Sequence, residues 1–148
     1  MLAEHLRPHF SIWAHDNKPD AAKASELGPS MVSFESAAAC PIVVLSVPVS
    51  QLRILATRLA PLLQPGTLVL DVGSVKVEPA KIMEEVFPDD VDVVATHPLF
   101  GPQSARDGLR GLRIALCPIR GRRFRVAAFC RKLGLEVIMR PTWLPTCW

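Results

Sequence analysis

Two segments, Thr67 to Lys76 (TLVLDVGSVK) and Val93 to Pro102 (VVATHPLFGP), constrain this chain more than any other feature. Each opens as a short apolar run of the kind that forms a buried strand. Each then breaks into turn-forming residues, Gly73 and Ser74 in the first, His97 and Pro98 in the second. In an open parallel α/β sheet, ligands bind just beyond the carboxyl ends of the strands. Two such strands side by side would bring a hydroxyl and an imidazole to one crevice.

The rest of the composition leaves room for such a sheet. The chain has 148 residues, 49% hydrophobic and 21% charged, which is ordinary globular usage for one domain. No apolar run approaches the roughly 18–20 residues that span a bilayer. The opening residues, MLAEHLRPHF, lack the apolar core and cleavage pattern of a signal peptide. Cys40, Cys117, Cys130 and Cys147 show no metal-binding spacing, so no metal site is expected. Reduced thiols and a cytoplasmic location are expected instead.

The net charge of +3 is unevenly spread, with seven arginines between Arg106 and Arg125. Two readings stay open: a solvated basic face, or a field that draws in a small anion. Nucleic acid fits less well, because no aromatic interleaving accompanies the charge.

Strand and helix signals alternate along the chain. Leu2 to Pro8 reads as the tail of a helix, and Ser11 to Asp16 as a short strand. Asp20 to Leu27 is helical and is stopped by Gly28-Pro29. Met31 to Phe34 reads as a short strand. Pro41 to Val47 (PIVVLSV) is a β-branched run suited to a sheet covered on both faces. Val49 to Leu63 has helical periodicity, with Leu52, Leu55, Leu59 and Leu62 on one face. Strand Thr67 to Val72, helix Glu78 to Phe87 and strand Val91 to Thr96 follow. After a loop come strand Leu112 to Ile119, helix Arg123 to Leu133 and strand Leu135 to Met139. This alternation predicts βαβ units and an α/β fold around a mostly parallel sheet.

The two ends do not fit a complete doubly wound unit. Met1 falls inside what would be the first helix, and no GxGxxG turn precedes it. The last residues, MRPTWLPTCW, show no periodicity. The expected organisation is a partial dinucleotide-binding domain over residues 1–139 and an irregular tail over 140–148.

Several residues are candidates for chemistry. Asp16 ends a strand, where an acid can accept hydrogen bonds from ribose hydroxyls; an exposed turn carboxylate is the equal alternative. Ser46-Val47-Pro48 ends PIVVLSV, either as a turn that admits a cofactor or as a plain strand-to-helix turn. Ser74 either bonds a ligand or caps a turn, and Lys76 is a weaker candidate. His97, between a buried strand and Pro98, can serve as a general base near neutral pH or can be structural.

Taken together, these segments resemble the prephenate/arogenate dehydrogenase family of tyrosine biosynthesis. Asp71 to Lys76 is similar to that family's DxxSVK segment. Thr96 to Pro102 is similar to its HPMFGP segment, with Leu99 in place of Met. The likeness runs from about residue 2 to about residue 138. It implies a Rossmann-like, doubly wound domain that lacks its first strand and Gly-rich loop, with the family's helical dimerisation domain also absent. It implies an enzyme that oxidises prephenate or arogenate with loss of CO₂. The cofactor would be NAD, with NADP open because His15, Asn17 and Lys18 surround Asp16. By motif match, His97 would accept the substrate hydroxyl proton, and Ser74 would orient it and line the nicotinamide. Asp16 would face the adenosine ribose, and Ser46, Val47 and Pro48 would line the cofactor cleft. The family's proteins form homodimers through the absent domain.

Two other readings compete. One is a non-catalytic half-domain that binds a nucleotide or a partner. The other is a Rossmann-like dehydrogenase of 3-hydroxyacid type.

Overall fold

The computed structural model describes residues 2–75 and 77–140. Lys76, Cys147 and the rest of the 141–148 tail lie outside the described residues.

The β-branched runs become neighbouring strands. Strands β3 (Ile42–Leu45), β4 (Leu68–Asp71) and β5 (Asp92–Pro98) pair in parallel, with Leu45, Asp71 and Ala95 in one row. Strand β6 (Arg113–Arg120) returns antiparallel to β5, and β7 (Glu136–Met139) runs parallel to β6. The five form one sheet in the order β3-β4-β5-β6-β7. Strands β1 (Trp13–Ala14) and β2 (Ser30–Met31) pair in parallel as a separate two-stranded sheet.

Both faces of the large sheet are covered, so its strands read as continuous apolar runs. Helices α4 (Val49–Leu59) and α5 (Val77–Val86) cover one face. There Leu52, Ala56 and Leu59 meet Ile82 and Met83 over Val69, Val93 and Ala95. Helix α6 (Arg123–Lys132) covers the other, where Val126, Ala127 and Cys130 pack on Val94, Ile114 and Leu116. Val93 and Val94 thus fall in different clusters, as the strand period of two requires. The apolar face expected over Val49 to Leu63 is present, with Leu52 and Leu59 buried and Leu55 partly buried, but the α-helix ends at Leu59 and Leu62 packs on the same cluster from a 3-10 turn, Ala60–Leu62.

Several elements differ from the sequence reading. Helices α1 (Leu2–Leu6) and α2 (Ala21–Leu27) stand close to where they were expected, but a third short helix, α3 (Phe34–Ala38), was not foreseen. Ser33 caps it, its hydroxyl accepting the Ser36 N–H at 3.1 Å. Five residues carry too little periodicity to announce a helix. Strand β5 also runs past Thr96 to Pro98, because β6 arrives beside it and pairs His97 with Ala115 and Pro98 with Ile114. Finally, β1 and β2 are shorter than expected and stand apart from the main sheet.

Two of the clustered arginines have structural partners. The Arg120 guanidinium donates to the carbonyls of Phe87, Pro88 and Val91, each at 2.8 Å, and pairs with Asp89. It thereby ties β6 to the end of α5. Arg122 bonds the Asp92 carboxylate and the Gly66 carbonyl. Between them Gly121 has φ +84°, and an added Cβ would collide with the Asp92 carboxylate.

Candidate functional site

The carboxyl ends of β3, β4 and β5 define one edge of the parallel part of the sheet. The chain leaves β3 through Ser46-Val47-Pro48 and enters α4 directly. Pro48 is the cap residue, extended at φ −57° and ψ 145°, and it offers no side-chain cap. Exposed Ser46 and Ser50 flank this entry. The Leu45 carbonyl accepts the Val72 N–H at 3.2 Å and the Pro48 carbonyl accepts the Gln51 N–H at 2.9 Å.

The chain leaves β4 through Val72-Gly73-Ser74. The Asp71 carboxylate accepts the Gly73 N–H at 3.0 Å, so a carboxylate holds this turn. Gly73 is not among the glycines with positive φ. Ser74 is exposed at the turn's tip. On β5, His97 is half-buried within the strand, one residue beyond Thr96. The Thr96 hydroxyl donates to the Asp71 carbonyl at 2.7 Å. The next strand residues continue the edge, with Leu99 N–H donating to the Arg113 carbonyl at 2.9 Å.

Ser46, Val47 and Pro48 therefore follow the end of β3, Ser74 follows the end of β4, and His97 lies near the end of β5, at the same edge of three consecutive strands. Asp16 stands elsewhere, exposed and two residues past β1 of the two-stranded sheet, so it does not end the strand itself. Its Oδ1 accepts the Lys18 N–H at 2.7 Å. Phe34 of α3 connects the two regions. It packs against the core that holds Leu45, and it meets the His15 ring edge-on at 5.5 Å between centroids. The Arg58 guanidinium covers it at 4.7 Å.

Two other histidines make structural contacts. His9 meets Phe129 edge-on, and His15 Nδ1 lies 3.2 Å from the Val32 carbonyl. Cys117 and Cys130 are buried, and burial pushes the Cys130 thiol pKa up to about 11. Among the described residues no group of three His, Cys, Asp or Glu could hold a metal. The same residues include no helix long and apolar enough to cross a membrane.

The sequence reading gave Asp71 and Thr96 no role, yet they are two of the three polar residues in the described core, each 4% exposed. A carboxylate next to a glycine turn and a threonine in an apolar strand were the available signals.

The family model for the nucleotide-binding domain of prephenate dehydrogenase matches residues 2–126. The chain belongs to the prephenate dehydrogenase family. Among curated relatives, a probable arogenate/prephenate dehydrogenase of Methanocaldococcus jannaschii is 36% identical over 81 residues, 53% of this chain and 18% of that protein. A cyclohexadienyl dehydrogenase of Zymomonas mobilis is 32% identical over 87 residues, 57% of this chain and 29% of that protein. Among solved structures, Aquifex aeolicus prephenate dehydrogenase in complex with hydroxyphenyl propionate and NAD⁺ superposes with a TM-score of 0.75 at 24% identity. That match covers 95% of this chain and 55% of the other and establishes a shared fold. As a member of the prephenate dehydrogenase family, the chain thus spans about half of that structure and less than a third of these curated relatives.

Proposed function

We propose that this chain supplies the cofactor-binding half of a dehydrogenase that oxidises prephenate or arogenate with NAD⁺. Residues 1–139 form that partial dinucleotide domain, and 140–148 follow as a tail. The observation that carries the reading is the edge shared by β3, β4 and β5, which lines up Ser46, Ser74 and His97. In open α/β sheets this edge is where ligands bind.

The groups at the edge fit the cofactor chemically. Serine hydroxyls and backbone at Ser46-Val47-Pro48 and Ser74 suit a ribose and a carboxamide. The Asp16 carboxylate suits a vicinal diol and opposes a 2′-phosphate, which favours NAD over NADP. NAD⁺ held at this edge would supply the hydride acceptor for the ring carbon that bears the hydroxyl. His97 accepts the hydroxyl proton as that carbon becomes a carbonyl. The ring carboxylate leaves as CO₂, its bonding electrons entering the ring, and the carbonyl oxygen takes a proton back from the His97 imidazolium to give a phenol as the ring becomes aromatic. Ser74 lines the nicotinamide and keeps the imidazole oriented. A soluble compartment such as the cytoplasm suits these small polar substrates. A homodimer, as the family resemblance implies, would be built outside the region described here.

The chain carries no GxGxxG turn for the pyrophosphate, so its affinity for NAD⁺ is expected to be weak. The test is NADH production by the purified 148-residue chain with prephenate or arogenate, beside His97→Ala. Turnover that His97→Ala abolishes supports the reading. Turnover that survives the substitution contradicts the role of His97. A chain that binds NAD⁺ at this edge without turnover matches the cofactor-binding half alone.

A further inference from the structure

Asp71 bonds in two directions at the end of β4. Its carboxylate holds the Gly73 N–H at 3.0 Å, and its carbonyl receives the Thr96 hydroxyl at 2.7 Å. The first bond shapes the turn that carries Ser74. The second joins that turn to β5, one residue before His97. Asp71 and Ala95 form the last paired row between β4 and β5; beyond it β4 bends away while β5 continues to Pro98. The Thr96 side chain thus ties the strands together at the point where they part.

The surroundings make the choice of residue informative. Thr96 lines an apolar cavity of about 90 Å³ with Leu70, Pro98 and Phe100. Valine has nearly the same shape and would suit such a wall better, since a buried hydroxyl is costly without a partner. Asp71, likewise buried, is a carboxylate at a position where the neighbouring strand residues are apolar. Both polar groups are held to bonds that converge on the Ser74 turn and the His97 strand.

We propose that Asp71 and Thr96 are positioning residues that fix where Ser74 stands relative to His97. The inference rests on the proposed dehydrogenase reading for its purpose, and on the two hydrogen bonds for its geometry. With the pair intact, the turn and the strand keep one relative placement. With the Thr96 hydroxyl removed, the β4 turn loses its side-chain tie to β5 and keeps only the backbone bond from Val72 N–H to the Leu45 carbonyl and the ladder at Asp71.

The test is NMR on the isotope-labelled 148-residue chain and its variants Thr96→Val, Thr96→Ser and Asp71→Asn. Amide exchange at Val72, Gly73 and His97 should accelerate at least tenfold in Thr96→Val, while amides in α4 and α5 keep their rates. The imidazole titration of His97 should also shift, and Thr96→Ser should restore both. Asp71→Asn keeps an acceptor for Gly73 and should leave local exchange slow. Uniform acceleration across the chain, or an unchanged His97 titration in Thr96→Val, would overturn the proposal. An NAD⁺ titration separates the two ideas. If NAD⁺ leaves Ser74 and His97 of the parent chain unperturbed, the dehydrogenase reading fails, whereas the positioning claim stands or falls on exchange and titration.

Discussion

Asp16 holds the backbone N–H of Lys18 with its Oδ1 at 2.7 Å, a bond that fixes the carboxylate two residues past β1. Asp16 is exposed, so its carboxylate stays accessible to a diol. The two functions open for Asp16 in the sequence, turn carboxylate and ribose acceptor, are therefore compatible. A carboxylate-to-hydroxyl bond contributes about 1.5–3 kcal/mol. Asp16→Ala should weaken NAD⁺ binding about tenfold or more and narrow the preference over NADP⁺. Titrations of both cofactors into both proteins check this; equal affinities would remove Asp16 from the site.

Removing the proton acceptor should cost more than removing its neighbour. General-base catalysis contributes roughly 10²–10⁴-fold. In steady-state assays, His97→Ala should lower kcat by about that factor, and Ser74→Ala by roughly tenfold, since the role proposed for Ser74 is worth one neutral hydrogen bond. A larger loss for Ser74→Ala than for His97→Ala would reverse the assigned roles.

Much of the fold is legible in the sequence because β3, β4 and β5 are apolar on both faces and α4 is apolar on one. Periodicity and turn residues suffice for such elements. The missed features are tertiary. Helix α3 is five residues long and is recognised by its Ser33 cap, not by a pattern. The extension of β5 through His97 and Pro98 depends on β6 lying alongside, which local sequence does not encode. The separation of β1–β2 from the main sheet is likewise a matter of pairing. At the site, Ser74 and His97 stand out as polar residues after strands. Asp71 and Thr96 do not, since their roles lie in bonds between strands.

Gly121 is required by its neighbours. Its φ of +84° and the closeness of the Asp92 carboxylate both oppose a side chain. Gly121→Ala should destabilise the fold by about 1–3 kcal/mol, displacing Asp92 from Arg122. Thermal unfolding should show a Tm lower by several degrees. A Tm equal to that of the parent would mean that the β6–α6 turn relaxes freely.

Cys130 links stability to alkaline pH. Burial raises its thiol from 9.0 to about 11. In the unfolded chain the thiol ionises near its ordinary value, so between pH 9 and 11 the unfolded state binds fewer protons. Stability should therefore fall as pH rises through that window. Denaturant titrations at pH 8 and pH 10.5 should show the fall, and Cys130→Ala should reduce it. An identical pH slope in the variant would assign the effect to other groups.

The central claim is that NAD⁺ binds at the carboxyl ends of β3, β4 and β5. Its most direct measurement is an NMR titration of NAD⁺ into the 148-residue chain, followed at backbone amides. Without a GxGxxG turn, an affinity of about 1 mM is expected, near −4 kcal/mol. The account expects shift changes at Val47, Ser50, Ser74 and His97, with amides on the α4–α5 outer face unmoved. Changes confined to other regions, or none with NAD⁺ at several times about 1 mM, would contradict it.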